Sequence, residues 1–191
     1  MRYWLYKNNF VDGGPAGYWG HWRCTFFSDP GPSEWGGSKA FRSPEVHRYL
    51  NDEIQPGDVV VAYQTDTQQV VGFATVVSID GSPGDRELVL QPIHLLDEPF
   101  LIHKHKKGTC LEHDTAVNGR VGIRELEARQ MKELVRLSGA PVDVLHGNAG
   151  PGGWIPGSPC VSAFEVYDFD SGRGVEVEVR WWEDPPTFVV R

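Results

Sequence analysis

The sequence predicts a mixed α+β fold, and three stretches carry that reading. Gly57-Asp58-Val59-Val60-Val61-Ala62-Tyr63-Gln64 and Val70-Val71-Gly72-Phe73-Ala74-Thr75-Val76-Val77 are two β-branched runs joined by the polar turn 65–69. Ser43-Pro44-Glu45 opens a helix, with Ser at the N-cap, Pro at the first helical position and Glu at the positive end of the dipole. Near the end of the chain Val175, Val177, Val179 and Trp181 alternate with Glu176, Glu178 and Arg180, the period of a strand.

Taken in order, the chain starts with a short aromatic strand, Tyr3 to Tyr6. From Phe10 to Trp35 it is rich in rings and in Gly, Pro and Ser, with no helical period and too many breakers for a long strand. The helix from Ser43 puts Val46, Tyr49, Leu50 and Ile54 on one face, and Pro56-Gly57 ends it. The hairpin 57–77 is apolar on both strand faces and is therefore expected in the middle of a sheet covered on both sides. Gly72 within it marks a bulge or a close approach. Residues 80–85 form a loop, and Arg86 to Leu96 a third strand, with Pro92 implying an edge or a bulge. Ile102 to His113 is polar and basic. Gly122 to Leu137 reads as one helix with Leu126, Met131, Leu134 and Val135 on one side, closed at Gly139. Residues 147–153 form a glycine-rich loop, and Val161 to Val190 a β-hairpin turning at 170–174 that extends or caps the barrel, or makes a dimer contact.

Composition narrows the function. A 191-residue chain with 40% hydrophobic and 12% aromatic residues can bury a core as one domain with an appendage, here 1–145 and 146–191. A net charge of −8 argues against nonspecific binding to a nucleic-acid backbone, but not against recognition of one base through a local patch. Cys24, Cys110 and Cys160 are far apart and odd in number, which reads as reduced thiols in a cytoplasmic protein. There is no signal-peptide core and no apolar run of membrane-spanning length.

The Gly-Asp-apolar strand ending in Tyr63-Gln64, followed by apolar-Gly-apolar-Ala-x-Val, resembles the EVE domain family of the PUA-like superfamily, relatives of the YTH readers of methylated RNA. Three further stretches are similar: Arg2 to Lys7 to the family's first strand, Trp35-Gly36-Gly37-Ser38-Lys39 and the helix after it to its Trp-Gly loop, and Gly122 to Leu137 to its closing segment. The resemblance implies a PUA-like β-barrel of five or six strands with short flanking helices, to which the C-terminal β-hairpin is an addition.

It also implies a function. A modified base would be flipped into an aromatic pocket, with a space sized to a methyl group and a few polar atoms for its edge. Trp35 is the candidate wall, Gly37, Ser38 and Lys39 lie just beyond it, and Tyr63 and Gln64 are the strand-end pair. The loop 80–86 is short and has no tryptophan, unlike that of the YTH relatives, so a second wall must come from Trp19, Trp22 or Trp154. Arg42, Arg48, Lys104, Lys106 and Lys107 are the candidate phosphate contacts. Lysines interrupt His103, His105, Cys110 and His113, whose spacing matches no standard zinc finger, so the stretch reads as a basic patch or a solvated loop. No catalytic motif, cofactor or metal is called for, and a nuclease or other effector subunit is a possible partner. The competing expectation is a small-molecule or free-nucleotide protein, or an enzyme with dispersed catalytic residues, using the same pocket.

Overall fold

The computed structural model describes residues 1–8, 21–119 and 121–147 and, beyond them, the strand positions 161–168, 173–180 and 187–190. Six strands join in one sheet: β1 (Tyr3–Asn8), β2 (Ser33–Gly37), β3 (Val59–Gln64), β4 (Gln69–Asp80), β5 (Glu87–Leu101) and β6 (Ile123–Leu126). Their spatial order is β2-β5-β4-β3-β1-β6. β1 runs parallel to β3, with Lys7 beside Tyr63 and Asn8 beside Gln64, and the other neighbours are antiparallel. The helices are short: α1 (Pro44–Arg48), α2 (Ile102–His105), α3 (Thr115–Asn118) and α4 (Ala128–Ser138).

The sheet curls into a half-barrel. β2 and β1 are four steps apart in the strand order, which is roughly 19 Å in a flat sheet at about 4.8 Å per step. Yet a Cβ added to Gly36 of β2 would lie 1.9 Å from the hydroxyl of Tyr6 in β1. Gly36 also has φ +76°, so both its backbone conformation and the space beside it call for glycine. Register shifts bend β4 against β5 at three points and β3 against β4 at one. Gly72 sits at one of them, where a Cβ would be 2.5 Å from the His94 carbonyl oxygen and 2.7 Å from the Phe27 ring. Pro92 opposes Ala74 at another, past Leu90, the last residue of β5 that pairs with β2.

The central hairpin is buried as its composition predicts. Val60, Ala62, Val71, Ala74 and Val76 face one cluster, shared with Trp4, Tyr6, Trp22, Phe26, Phe27, Trp35 and the α1 side chains Val46, Tyr49, Leu50 and Ile54. Val59, Val61, Val70 and Phe73 face the other, roofed by Met131, Leu134 and Val135 of α4 and by Val144 and Leu145.

Several expectations need correction. Gly122 to Leu137 is not one helix. Residues 123–126 pair with the edge of β1, and Glu127 and Gln130 form a reciprocal capping box that starts α4 afterwards. Leu126 is therefore a strand residue. Trp35 lies in a strand rather than a loop, because residues 33–37 pair with the start of β5. The helix from Ser43 continues from α1 into a π-helical turn, Tyr49–Glu53. Among the described residues the tail holds three strands, β7 (Val161–Asp168), β8 (Arg173–Arg180) and β9 (Thr187–Val190), in their own sheet with no ladder to the first. Cys24 is disulfide-bonded, against the expectation of three reduced thiols, and Cys110 is free. Cys160 falls outside the described residues.

Candidate functional site

Alternation along β1 and β3 decides which candidates meet. Trp4, Tyr6, Val60 and Ala62 point to the aromatic face, whereas Leu5, Val59 and Val61 point to the aliphatic one. Tyr63 continues the second set and packs against the aliphatic cluster. Gln64 continues the first, and its amide oxygen accepts the Trp22 backbone N–H at 3.0 Å. The sequence-predicted pair thus splits across the sheet. Trp35 and Gln64 share a face, and the Tyr63 ring lies on the opposite one.

On the aromatic face the rings form a continuous row. Phe41 lies 5.5 Å from Tyr6, Tyr6 lies 5.1 Å edge-on to Trp22, and Trp22 lies 4.9 Å from Trp35. Phe26 closes on both tryptophans at 5.1 and 5.3 Å. Trp22 is the fixed centre of this row. It is fully buried, and its indole N–H donates to the Tyr63 carbonyl at 3.2 Å. Trp35 is 7% exposed and belongs to the same core, so the candidate wall is also a core side chain. Phe41 is only partly buried. Phe41 and Tyr6 were not singled out in the sequence. Their signal was available for Tyr6, two residues from Trp4 on the same strand face, but not for Phe41, which only the fold brings to the row.

The polar candidates are held in place. Gln64 is fully buried, and while its oxygen holds Trp22 its nitrogen donates to Asp66. Ser38 is buried, donating its backbone N–H to the Arg86 carbonyl at 2.7 Å and accepting the Arg86 N–H on Oγ at 3.1 Å. A Cβ on Gly37 would lie 2.2 Å from the same Arg86 carbonyl oxygen, so the Trp-Gly-Gly-Ser stretch is zipped against the start of β5. Trp19 and Trp154 lie outside the described residues.

The candidate cations do not gather at one mouth. Lys39 pairs with Asp85 at 2.7 Å, before the first residue of β5. Arg48 pairs with Glu53 at 3.1 Å and lies over the Tyr49 ring. Arg42 is exposed. Lys104, Lys106 and Lys107 follow the last residue of β5, fourteen positions along that strand from Glu87 to Leu101. Lys106 donates to Asn118, and Lys104 lines a depression of about 380 Å³ with Glu98, Phe100 and Leu137. Among the described residues no three His, Cys, Asp or Glu side chains come together as a metal site.

Perturbed groups collect where β1 and β3 end. Lys7 donates to the carbonyls of Val117 at 3.0 Å and Gly119 at 2.5 Å, with its ammonium 5.9 Å from the Tyr63 ring centre. Burial, helped by the nearby Arg124 charge, lowers its pKa to about 8, against an opposing pull from Asp114. Burial raises Tyr63 and lowers His21, the latter opposed by Asp66. Burial shifts Tyr49 and His94 elsewhere in the fold in the same way, and nothing in the sequence set Lys7 or His21 apart from other polar residues.

The half-barrel with its short helices is a PUA-like fold. Solved structures that share it include a protein of Agrobacterium tumefaciens, 20% identical, with a TM-score of 0.56 over 84% of this chain and 100% of that one. They include human THYN1 in complex with 5-methylcytosine-containing DNA, 13% identical, with a TM-score of 0.58 over 74% of this chain and 99% of that one. The DUF55 domain of human thymocyte nuclear protein 1 is similar at 13% identity and a TM-score of 0.53, covering 71% of this chain and 98% of that one. No protein-family model and no curated protein matches this chain.

Proposed function

We propose that this protein is an EVE-type reader that binds a modified nucleobase carried on DNA or RNA, flipped out of its strand onto the aromatic row of the half-barrel. The observation that carries this reading is the row Phe41–Tyr6–Trp22–Trp35 on one face of a fold shared with a protein solved on 5-methylcytosine DNA. Flat rings offer stacking worth about 1–3 kcal/mol per base. Trp22 and Phe26 brace the floor, and Phe41 and the edge of Trp35 meet the base. Gly36 and Gly37 carry no side chain, which lets Tyr6 and the start of β5 close against β2 and set the margin of the row. Gln64 and Ser38 act by holding the rings and β2 in position. This assigns no catalytic residue, so any chemistry on the nucleic acid falls to a separate effector such as a nuclease subunit.

The test is binding of short oligonucleotides carrying 5-methylcytosine or other modified bases, with the unmodified sequence in parallel. One modified base should bind at least about tenfold tighter than its unmodified counterpart, and Trp35→Phe should erase most of that difference. Equal affinity for all oligonucleotides, or none for any, overturns the reading. One observation favours a second reading, a free nucleotide or other planar metabolite. The net charge is −8, and Lys39 and Arg48 are already paired with carboxylates. A free nucleoside binding as tightly as the oligonucleotide that contains it would favour that alternative.

A further inference from the structure

A depression of about 180 Å³ lies between the π-helical turn and the start of β5, lined by Leu50, Asn51, Ile54, Gln55, Ile79 and Arg86. Arg86 is its one cationic wall. The backbone of Arg86 is fixed on both sides by Ser38, and its Nη1 donates to the Gly81 carbonyl at 2.8 Å. That leaves the edge formed by Nε and Nη2. Nε is buried and has no hydrogen-bond partner among the described residues, and Arg86 forms no ion pair among them. The neighbouring carboxylates Asp85 and Glu53 are already engaged, Asp85 by Lys39 and Glu53 by Arg2 and Arg48. Glu87 and Asp80 face each other across β4 and β5 and stay unpaired with Arg86. Asn51 is tied to the same loop, its Oδ1 accepting the Gly84 N–H at 3.4 Å, which leaves its amide nitrogen as a donor.

We infer that this depression is an oxyanion subsite that takes a phosphate, held bidentately by the Nε–Nη2 edge of Arg86 with the carboxamides of Asn51 and Gln55 beside it. A guanidinium edge matches two oxygens of a phosphate in one plane, and the missing partner of a buried N–H is what such an oxygen supplies. The volume is well above the roughly 10–15 Å³ that a single water requires on the same measure, enough for a tetrahedral oxyanion. Arg86 is hydrogen-bonded through its backbone to Ser38, three residues after Trp35 in the chain, and on the proposed reading a phosphate here would belong to the nucleotide stacked on the aromatic row or to its neighbour. In that form the inference rests on the proposed reading, whereas the phosphate chemistry itself does not.

Two measurements test it. The first follows the Arg86 Nε–H resonance by NMR during titration with inorganic phosphate and, separately, with a modified single-stranded oligonucleotide. Saturable shifts with both probes mean a general phosphate site, and a shift with the oligonucleotide alone means a backbone phosphodiester. The second is the salt dependence of oligonucleotide binding. Arg86→Gln should flatten the log–log slope by about 0.7 for a single strand, the loss of one neutralised phosphate. Asn51→Asp keeps the acceptor for Gly84 while adding a negative charge, so it should weaken phosphate binding with the melting temperature unchanged, even if Arg86→Gln folds poorly. If no oligonucleotide binds but inorganic phosphate still saturates the Arg86 signal, base reading fails and the anion site stands. An unmoved Arg86 resonance with both probes, or a slope unchanged in a folded variant, overturns the site.

Discussion

The two faces of the six-stranded sheet bury different kinds of side chain. The aliphatic face meets Leu, Val, Ile and Met side chains and is roofed by α4, whose buried residues recur at helical spacing. The aromatic face is closed by 22–54, a stretch with only short helical pieces, and its rings are fixed by directional contacts: an indole N–H on the Tyr63 carbonyl, edge-on pairs, and a glycine under the Tyr6 hydroxyl. Branched aliphatic packing is tolerant of shape and needs no polar partners. Aromatic packing with buried N–H groups is specific in geometry and needs its polar partners. One face therefore keeps the fold, and the other keeps the fold and offers the candidate site.

The comparison can be broken most severely at its shared centre. Val60→Asp puts a carboxylate into a site 1% exposed on the central strand, with no cation to pair it. Loss of soluble, cooperatively melting protein is expected, and a well-folded variant would contradict the burial of the hairpin. The next effect separates the faces. Trp35→Ala should cost about 3–5 kcal/mol and abolish binding, whereas Leu134→Ala on the aliphatic face should cost about 2–5 kcal/mol while the remaining folded protein binds with unchanged affinity. Denaturant midpoints and titrations on the same samples check both, and a binding defect in Leu134→Ala would erase the distinction. Smaller again is Phe41→Leu, which retains bulk against Gly122 and Tyr6. It should cost on the order of 1 kcal/mol of stability but weaken base binding several-fold, as read by anisotropy. The smallest is a pH effect on the aliphatic face. The Lys7 pKa is about 8 when folded and 10.5 in the free side chain, so the unfolded chain holds more protons between those values and stability should rise with pH from about 8. Above 10 the raised pKa of Tyr63 acts in the opposite sense, because the unfolded chain then loses its phenolic proton first. Urea midpoints at pH 7.5 and 9.5 should therefore increase in the parent and stay flat in Lys7→Met.

Much of the architecture was legible from local pattern. The doubly apolar hairpin, the helix start at Ser43 with its buried Val46, Tyr49, Leu50 and Ile54, the close approach at Gly72 and the C-cap at Gly139 are all found, because each depends on residues near in sequence. Residues 123–126 read as helix because four residues with Ile and Leu at the ends fit a helical period as well as a strand, and only the open edge of β1 chooses between them. The tail sheet gained a third strand at 187–190, too short a segment to announce itself.

By itself, then, the sequence determined where the chain would be extended, where it would turn and which runs must be buried, since backbone preference and hydrophobic period are local. It could not determine the site. Tyr63 and Gln64 are adjacent letters, yet a strand sends them to opposite faces, and Trp35 and Tyr6, far apart in the chain, reach one ring row only because the sheet curls until Gly36 touches Tyr6. The pairing of Lys39 with Asp85, the burial of Lys7 and the unpartnered Nε of Arg86 are likewise products of which strands come together. Those juxtapositions depend on the summed packing of the whole core, and no local stretch of residues encodes them.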